Sequence, residues 1–385
     1  MKILVDIRPL MDAQYSGVSE YVFRFLSALL KIDRKNEYIL FCNAAHGVAK
    51  RLPRFDYSNV KVVTRHIPNK IFNYAMLWPF GRPYFDKLVN EKVDIFFMPH
   101  LQFAAVSPKV KTVLAIHDLS FLIDRSFFSW RKNVWHWFIN APALIRKFDR
   151  VVAVSHNTKQ DIIEMCKVAE DKVSVIHSGI DESFKVLDKG DQRLEEVKKK
   201  YNLVKPFILF LATIEPRKNI EALVESFVEL KEKGNSDLQL VLAGGRGWKS
   251  APIFKKIKDS KYNQDIIILD YVDAADRPAL YNLARVFAYP SFYEGFGFPP
   301  LEAMACGTPT VVAADSSLPE IVGNAGILID PYTISSLTKA LDMLLHDEAL
   351  RADLIEKGLV QAAQFHWEAA ARGYLQLFEQ MALKS

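Results

Sequence analysis

Two doubly wound α/β domains are predicted for this 385-residue chain, and three observations predict them. Short, continuously apolar segments alternate with amphipathic ones from end to end, the pattern of parallel strands buried on both faces and joined by helices. The length exceeds what one core ordinarily organises, so two domains of about 150–200 residues each are expected. A polar, charged stretch at residues 185–206 then interrupts the alternation near the middle, and it ends at Pro206.

Taken in chain order, the strand segments of the first half are KILVDI (2–7), EYILFC (37–42), VDIFFMP (93–99), TVLAIHD (112–118), RVVAVS (150–155) and VSVIHSG (173–179). Those of the second half are PFILFLA (206–212), LQLVLAGG (238–245), DIIILDYV (265–272), VFAYPS (286–291), TPTVVA (308–313) and AGILID (325–330). All are rich in Val, Ile, Leu and Phe and too short for helices. Between them, SEYVFRFLSALLKI (19–32) and NIEALVESFVELKEKG (219–234) place apolar residues at helical spacing. The final segment, HWEAAARGYLQLFEQMALKS (366–385), reads as a terminal amphipathic helix.

Composition narrows the class. Half the residues are hydrophobic and a quarter charged, as in a soluble globular protein. No apolar run reaches the roughly 18–20 residues of a membrane span. The chain opens directly into a strand-like run, without signal-peptide architecture. Cys42, Cys166 and Cys306 show no metal-ligand spacing, which suits a reducing cytoplasm. The net charge of +5 is uneven: residues 1–190 hold 28 Lys and Arg against 19 Asp and Glu, and the remainder 22 against 26. A basic first half beside an acidic second half suggests different partners for each.

The segment YPSFYEGFGFPPLEAMACGTPTVVA (289–313) carries the chemistry. A strand leads into a loop, and Pro299 and Pro300 suit the first positions of a helix that stops at Gly307. Ligands of such sheets bind beyond the carboxyl ends of the strands. Glu294 is thereby expected in a loop over the strand ends and Glu302 in the first helical turn. The N–H groups and positive dipole end of that helix suit a diphosphate. A carboxylate can accept two hydrogen bonds from a vicinal diol, which fits Glu302 to a ribose and Glu294 to a sugar. Gly295 and Gly297 let the backbone come close to a ligand. Read alone, Glu302 would only complement the helix dipole, but that leaves Glu294 and the stiff loop without a purpose.

The same segment, with AIHDLSFL (115–122), VVAVSHNTKQDI (151–162), IHSGID (176–181), ATIEPRKNIEALVESF (212–227), LAGGRGW (242–248) and SSLPEIVGNAGILIDP (316–331), resembles the retaining glycosyltransferases of family 4. The resemblance runs in order along nearly the whole chain. It implies the GT-B fold, two Rossmann-like domains facing a central cleft. Residues 1–190 would bind the acceptor and residues 200–365 the nucleotide sugar, with the helix 366–385 packing back on the first domain. By the same resemblance, Glu294 contacts the donor sugar and Glu302 holds the ribose. Phe296 and Gly297, with neighbouring Gly295 and Phe298, bring the backbone to the sugar. Arg217 and Lys218 grip the diphosphate, where fixed cations would stabilise a leaving group gathering negative charge. His117 lies by the reacting carbon, with Asp118 beside it on the donor side. Gly17 belongs to a loop between acceptor and donor phosphates, although this chain has one glycine where many relatives have two.

The expected reaction is transfer of a hexose from a nucleotide diphosphate donor to a glycan or polyprenyl-linked glycan in bacterial polysaccharide assembly. Mannose from GDP-mannose is the leading donor by that similarity; UDP-glucose, UDP-galactose and UDP-N-acetylglucosamine are the alternatives. No Asp-x-Asp occurs, so no cofactor and no metal are expected, and no Gly-x-Gly-x-x-Gly marks a dehydrogenase. A glycoside hydrolase using Glu294 and Glu302 as its acid and base is the enzymatic alternative. A nucleic-acid or other polyanion binder would need a DNA-binding motif or a stacking surface, and neither is present.

Residues 65–87 interleave Arg65, Lys70, Arg82 and Lys87 with Phe72, Trp78, Phe80, Tyr84 and Phe85. Residues 129–150 set Trp130, Val134, Trp137, Phe138, Ala141, Ile145 and Phe148 at helical spacing beside Arg131, Lys132, Arg146, Lys147 and Arg150. That stripe either faces the core of the first domain or, ringed by cations, docks it on an anionic membrane surface. The second reading gives a cytoplasmic protein peripheral at the inner face of the membrane.

Overall fold

The computed structural model describes residues 1–11, 17–43, 52–68, 71–72, 75 and 83–383. The chain divides into two compact units. Unit 1 comprises Met1–Leu122, Arg131–Gly179 and His366–Ser385, and unit 2 comprises Ile123–Trp130 and Ile180–Phe365.

In unit 1 the strands are β1 (Lys2–Asp6), β2 (Glu37–Asn43), β3 (Val60–Arg65), β4 (Ile95–Met98), β5 (Lys111–Ile116), β6 (Arg150–Ala153) and β7 (Val173–Val175). They form one parallel sheet in the order β3-β2-β1-β4-β5-β6-β7. Leu4, Phe41, Phe96 and Leu114 are fully buried in it, as continuous apolar runs require. β3 lay outside the sequence expectation because it is an edge strand. Lys61 and Val62 are exposed, so no unbroken apolar run announces it. The strand order reverses between β1 and β4, and a crevice for ligands opens at such a reversal.

The terminal helix Trp367–Leu383 belongs to unit 1 and packs on the helix Gly17–Ile32. Tyr21 and Tyr374 share a hydrogen bond of 2.8 Å between their hydroxyls, and Phe25 and Phe97 pack on the Tyr374 ring. Gly179 is required where it stands, because a Cβ there would meet the backbone N of Trp367 at 2.1 Å.

Both stretches that suggested a membrane surface differ from expectation. Phe72 and Phe85 are buried against Phe41 and cannot anchor on a surface. Lys70, Trp78, Phe80 and Arg82 lie outside the described residues. The second stretch is not one helix. It breaks at Asn140, whose left-handed backbone (φ 44°) separates the helix Trp130–Ile139 from the helix Ala141–Arg146. The apolar stripe splits with it: Ala141, Ile145 and Phe148 are buried, whereas Trp130 (70%), Trp137 (71%) and Phe138 (52%) are exposed.

Unit 2 is built from β8 (Phe207–Leu211), β9 (Gln239–Ala243), β10 (Ile266–Leu269), β11 (Val286–Tyr289), β12 (Thr310–Ala313) and β13 (Gly326–Ile329). They form a parallel sheet in the order β10-β9-β8-β11-β12-β13, which reverses between β8 and β11. The expected linker at 185–206 is instead part of this unit, and the chain passes from unit 1 at Gly179 to unit 2 at Ile180. Within that segment Gln192–Tyr201 is a helix that buries Leu194 and Val197. Its Lys200 bonds Asp273 and Asp276, and the Tyr201 hydroxyl donates to Asp276. One of the charges that suggested a solvated linker, Lys200, thus anchors the helix. Ile123–Trp130 also clusters with unit 2: the Phe128 ring stacks on Trp248, and the Trp248 indole donates to the Phe127 carbonyl.

Candidate active site

At the strand reversal of unit 2, β8 and β11 are paired neighbours, Val286 opposite Ile208. The chain leaving β8 makes a short 3₁₀ turn, Pro216–Lys218, and the chain leaving β11 forms the loop that carries Glu294. Adjacent carboxyl ends thus bring Arg217, Lys218 and Glu294 together.

The Lys218 ammonium donates to Glu294 Oε1 (2.5 Å) and to the Tyr289 hydroxyl (2.6 Å). Arg217 Nη1 lies 3.1 Å from Glu294 Oε2 and donates to the Tyr293 carbonyl (2.5 Å). Its Nη2 and Nε converge on Glu215 Oε1 at 3.0 and 3.2 Å. Phe292 N in turn donates to the Arg217 carbonyl at 2.9 Å, tying the two loops by their backbones.

Most of this happens out of water: Lys218, Glu294 and Glu215 are buried and Arg217 is partly buried. Burial alone would raise the Glu294 carboxyl, but the Arg217 and Lys218 charges outweigh it and hold the group down at about 2. Burial and the Arg217 charge push the Lys218 ammonium below its ordinary value. Burial also holds Glu215 above the usual carboxylate range, with Arg217 pulling the other way. The cluster therefore pairs two cations with two carboxylates. The sequence reading named three of these and missed Glu215, whose only signal was a carboxylate two residues before Arg217.

Two serines set the shape of the Glu294 loop. Ser316 Oγ accepts from Glu294 N (2.8 Å), and the Ser317 hydroxyl, 3.0 Å from Glu294 O, donates to Phe296 O (2.6 Å). The Phe296 side chain is buried edge-on to Phe365 and tilted against Phe298, so the backbone at Gly295, Phe296 and Gly297 is held from both sides. Gly297 has φ +117°, and a Cβ there would sit 3.0 Å from Leu318 Cδ2. Only glycine takes that conformation without strain.

That turn starts the next helix early, at Phe298, so Glu302 lies in the second turn and not the first. Pro299 and Pro300 sit in the first turn without N–H groups, so this helix start offers fewer backbone donors than the four an ordinary terminus leaves. Glu302 is buried, and its Oε2 accepts from the Tyr281 hydroxyl at 2.8 Å.

The remaining expected residues lie on unit 1. His117 follows β5, and its Nε2 is 2.8 Å from the Pro99 carbonyl. A carbonyl only accepts, so Nε2 carries the proton. Burial lowers the pKa of the ring, which leaves Nδ1 an acceptor in the neutral form. Tyr21 packs edge-on against it at 4.4 Å. Asp118 Oδ1 accepts from Ser120 N and Oγ, which opens the short helix Ser120–Ile123. Gly17 is the first residue of the helix Gly17–Ile32, a Cβ there would meet nothing within 4 Å, and residues 12–16 of its loop lie outside the described residues.

A second buried group at this edge lay outside the sequence expectation. Asp6, at the end of β1, receives the Arg8 guanidinium through Nε and Nη2 at 2.9 and 2.7 Å. His100, after β4, stands 3.8 Å from Asp6, and burial carries its pKa down to about 4.

Each unit is a doubly wound parallel sheet, and unit 2 sets Arg217 and Lys218 against the buried Glu294 carboxylate at its strand reversal, the place where such sheets bind ligands; comparison with known proteins gives the class. The model for glycosyl transferases group 1 matches residues 191–360, and that for glycosyltransferase family 4 matches residues 15–184. The O-antigen chain mannosyltransferase B of Escherichia coli is 34% identical over 390 residues, covering 96% of this chain and 97% of that protein. The serotype-specific mannosyltransferase WbdA of Escherichia coli is 33% identical over 277 residues, 71% of this chain; the match spans only 34% of the WbdA length. Among solved structures, sucrose-phosphate synthase from Thermosynechococcus elongatus superposes with a TM-score of 0.77 at 19% identity, covering 100% of both chains. The fold is GT-B. The chain belongs to the family 4 glycosyltransferases.

Proposed function

We propose that the protein transfers a mannosyl residue, with retention, from GDP-mannose to a glycan or polyprenyl-linked glycan during assembly of an O-antigen-type polysaccharide. The observation that carries the site reading is the buried carboxylate of Glu294 held on both oxygens by Arg217 and Lys218 at the β8–β11 edge. A diphosphate leaving group gathers negative charge as the bond to the sugar breaks. Two fixed cations, already oriented and one of them buried, stabilise that charge with little reorganisation. Glu294, kept ionised by the same cations, is then a hydrogen-bond acceptor for the sugar hydroxyls, and Glu302 for the ribose. The full-length likeness to a relative named as an O-antigen mannosyltransferase favours mannose.

With Arg217 and Lys218 supplying the charge at the diphosphate, transfer proceeds without a metal. Activity is expected to persist in excess EDTA; a loss restored by magnesium or manganese would refute this. A panel of GDP-mannose, UDP-glucose, UDP-galactose and UDP-N-acetylglucosamine, read by thermal shift and by transfer, tests the donor, because the true donor stabilises the fold by mass action. Release of free sugar from a substrate without nucleotide would favour the hydrolase instead.

The acceptor reading carries a location. Exposed Trp130, Trp137 and Phe138 share the helix Trp130–Ile139 with exposed Arg131 and Lys132, an arrangement suited to a reversible hold on an anionic bilayer at the inner face of the cytoplasmic membrane.

A further inference from the structure

The carboxylate of Glu302 is held by a partner that no motif marked. Tyr281 lies on the helix Arg277–Leu283, fully buried, and its hydroxyl donates to Glu302 Oε2 at 2.8 Å. The ring is wedged edge-on against Phe287 of β11 (5.4 Å) and Phe184 (5.9 Å). Its backbone carbonyl accepts from Thr308 Oγ1 at 2.7 Å, just beyond the helix that carries Glu302. Packed on two sides and tied at the backbone, the phenol has one position. Burial, reinforced by the Glu302 charge, raises its pKa well above the ordinary value, so it remains a donor at any working pH.

A carboxylate end group turns about a broad, weakly restricted torsion. Recognition of a vicinal diol requires the carboxylate plane to be set, since two hydroxyls must be met at once. The Tyr281 hydroxyl restrains that freedom at Oε2.

We infer that Tyr281 is a positioning residue that sets the plane of the Glu302 carboxylate, and that it thereby makes the site select nucleoside diphosphates carrying a ribose over those carrying a 2′-deoxyribose. The inference rests on the reading of Glu302 as the ribose ligand. Removing the phenolic oxygen leaves the acid and its charge in place but removes the restraint at Oε2, so the plane is less well set. The loss then falls on the ribose form, whereas general loosening of the pocket weakens both nucleotides alike.

The test measures affinities of the full-length protein for GDP and 2′-deoxy-GDP, with UDP and 2′-deoxy-UDP as a second pair, by titration calorimetry. Wild type is expected to prefer the ribose form, and Glu302→Gln to lose that preference. Tyr281→Phe is expected to bind the deoxy form as wild type does and the ribose form roughly 3- to 10-fold more weakly, the size of one hydrogen bond. Glu302→Asp keeps the charge but draws the carboxylate away from Tyr281, and it should lose the preference as well. A wild-type ratio in Tyr281→Phe, equal weakening of both nucleotides, or a full preference in Glu302→Asp each overturns the positioning role. If Glu302→Gln also keeps the wild-type ratio, the ribose reading falls with it; if only Glu302→Gln loses the ratio, that reading stands and the role of Tyr281 alone is lost.

Discussion

Glu294 is where electrostatics and function meet in one side chain. Both of its oxygens face cations, so removing the charge leaves the partly buried Arg217 and the buried Lys218 with Glu215 as the remaining carboxylate. Glu294→Gln, which keeps the shape, is the informative variant. Transfer should fall by roughly 10- to 150-fold, the loss of about 1.5–3 kcal/mol from one charged hydrogen bond, as read by steady-state kinetics. The same residue predicts an acid limb of stability. Its folded pKa is depressed to about 2 from an ordinary 4.5, so its contribution is fully present above pH 4.5 and is lost as pH falls toward 2. The shift corresponds to roughly 3 kcal/mol. Glu215 has the opposite sign: its pKa is raised, so its ionisation begins to cost stability as pH rises through 4.5. Urea unfolding at pH 7, 4 and 3 should show wild type losing more stability on acidification than Glu294→Gln; parallel curves would contradict the assignment.

Among the elements, the loop after β11 depends on backbone shape as much as on charge. Its geometry is set by Ser316, Ser317 and the positive φ of Gly297, upstream of any ligand. Gly297→Ala forces a strained φ and a close approach to Leu318, which should cost roughly 1–3 kcal/mol and raise the donor KM as the loop shifts. A melting temperature and donor KM equal to wild type would sink this. The terminal helix offers a second test. Gly179→Ala would drive a Cβ into the Trp367 backbone, so the helix Trp367–Leu383 should undock from unit 1, and limited proteolysis should trim it faster than in wild type. Unchanged cleavage would show that the backbone yields instead.

For the whole molecule, the uneven charge and the exposed aromatic helix point the same way. Residues 1–190 carry nine more cations than anions, and the helix Trp130–Ile139 presents Trp130, Trp137 and Phe138 outward. Each basic residue near an anionic lipid contributes about 1 kcal/mol, so a few of them with an aromatic anchor hold a protein reversibly. Co-sedimentation with phosphatidylserine vesicles should decline with added salt and fall further in Trp130→Ser/Trp137→Ser, while transfer to a water-soluble acceptor stays at the wild-type rate. A protein that remains in the supernatant with acidic vesicles at low salt has no membrane surface of this kind.

The two sheets were legible in the residues because burial on both faces demands unbroken apolar runs, and such runs survive in one dimension. Glu294 could be placed for a related reason, because it follows a strand and strand ends are where a parallel sheet puts its ligands, whereas Arg217 and Lys218 were named by the family resemblance. Edge strand β3 was not legible, since half of it faces water, and neither was the break at Asn140, where one left-handed residue turns an apparent single stripe into an outward helix and an inward one. Pairing was the least visible of all. Glu215 on Arg217, Tyr281 on Glu302, the serines on the Glu294 loop and Arg8 on Asp6 each join groups whose contact depends on distance in space. Periodicity records which face of an element is dry, but the partner that satisfies a buried charge is chosen only when separate elements pack and water leaves.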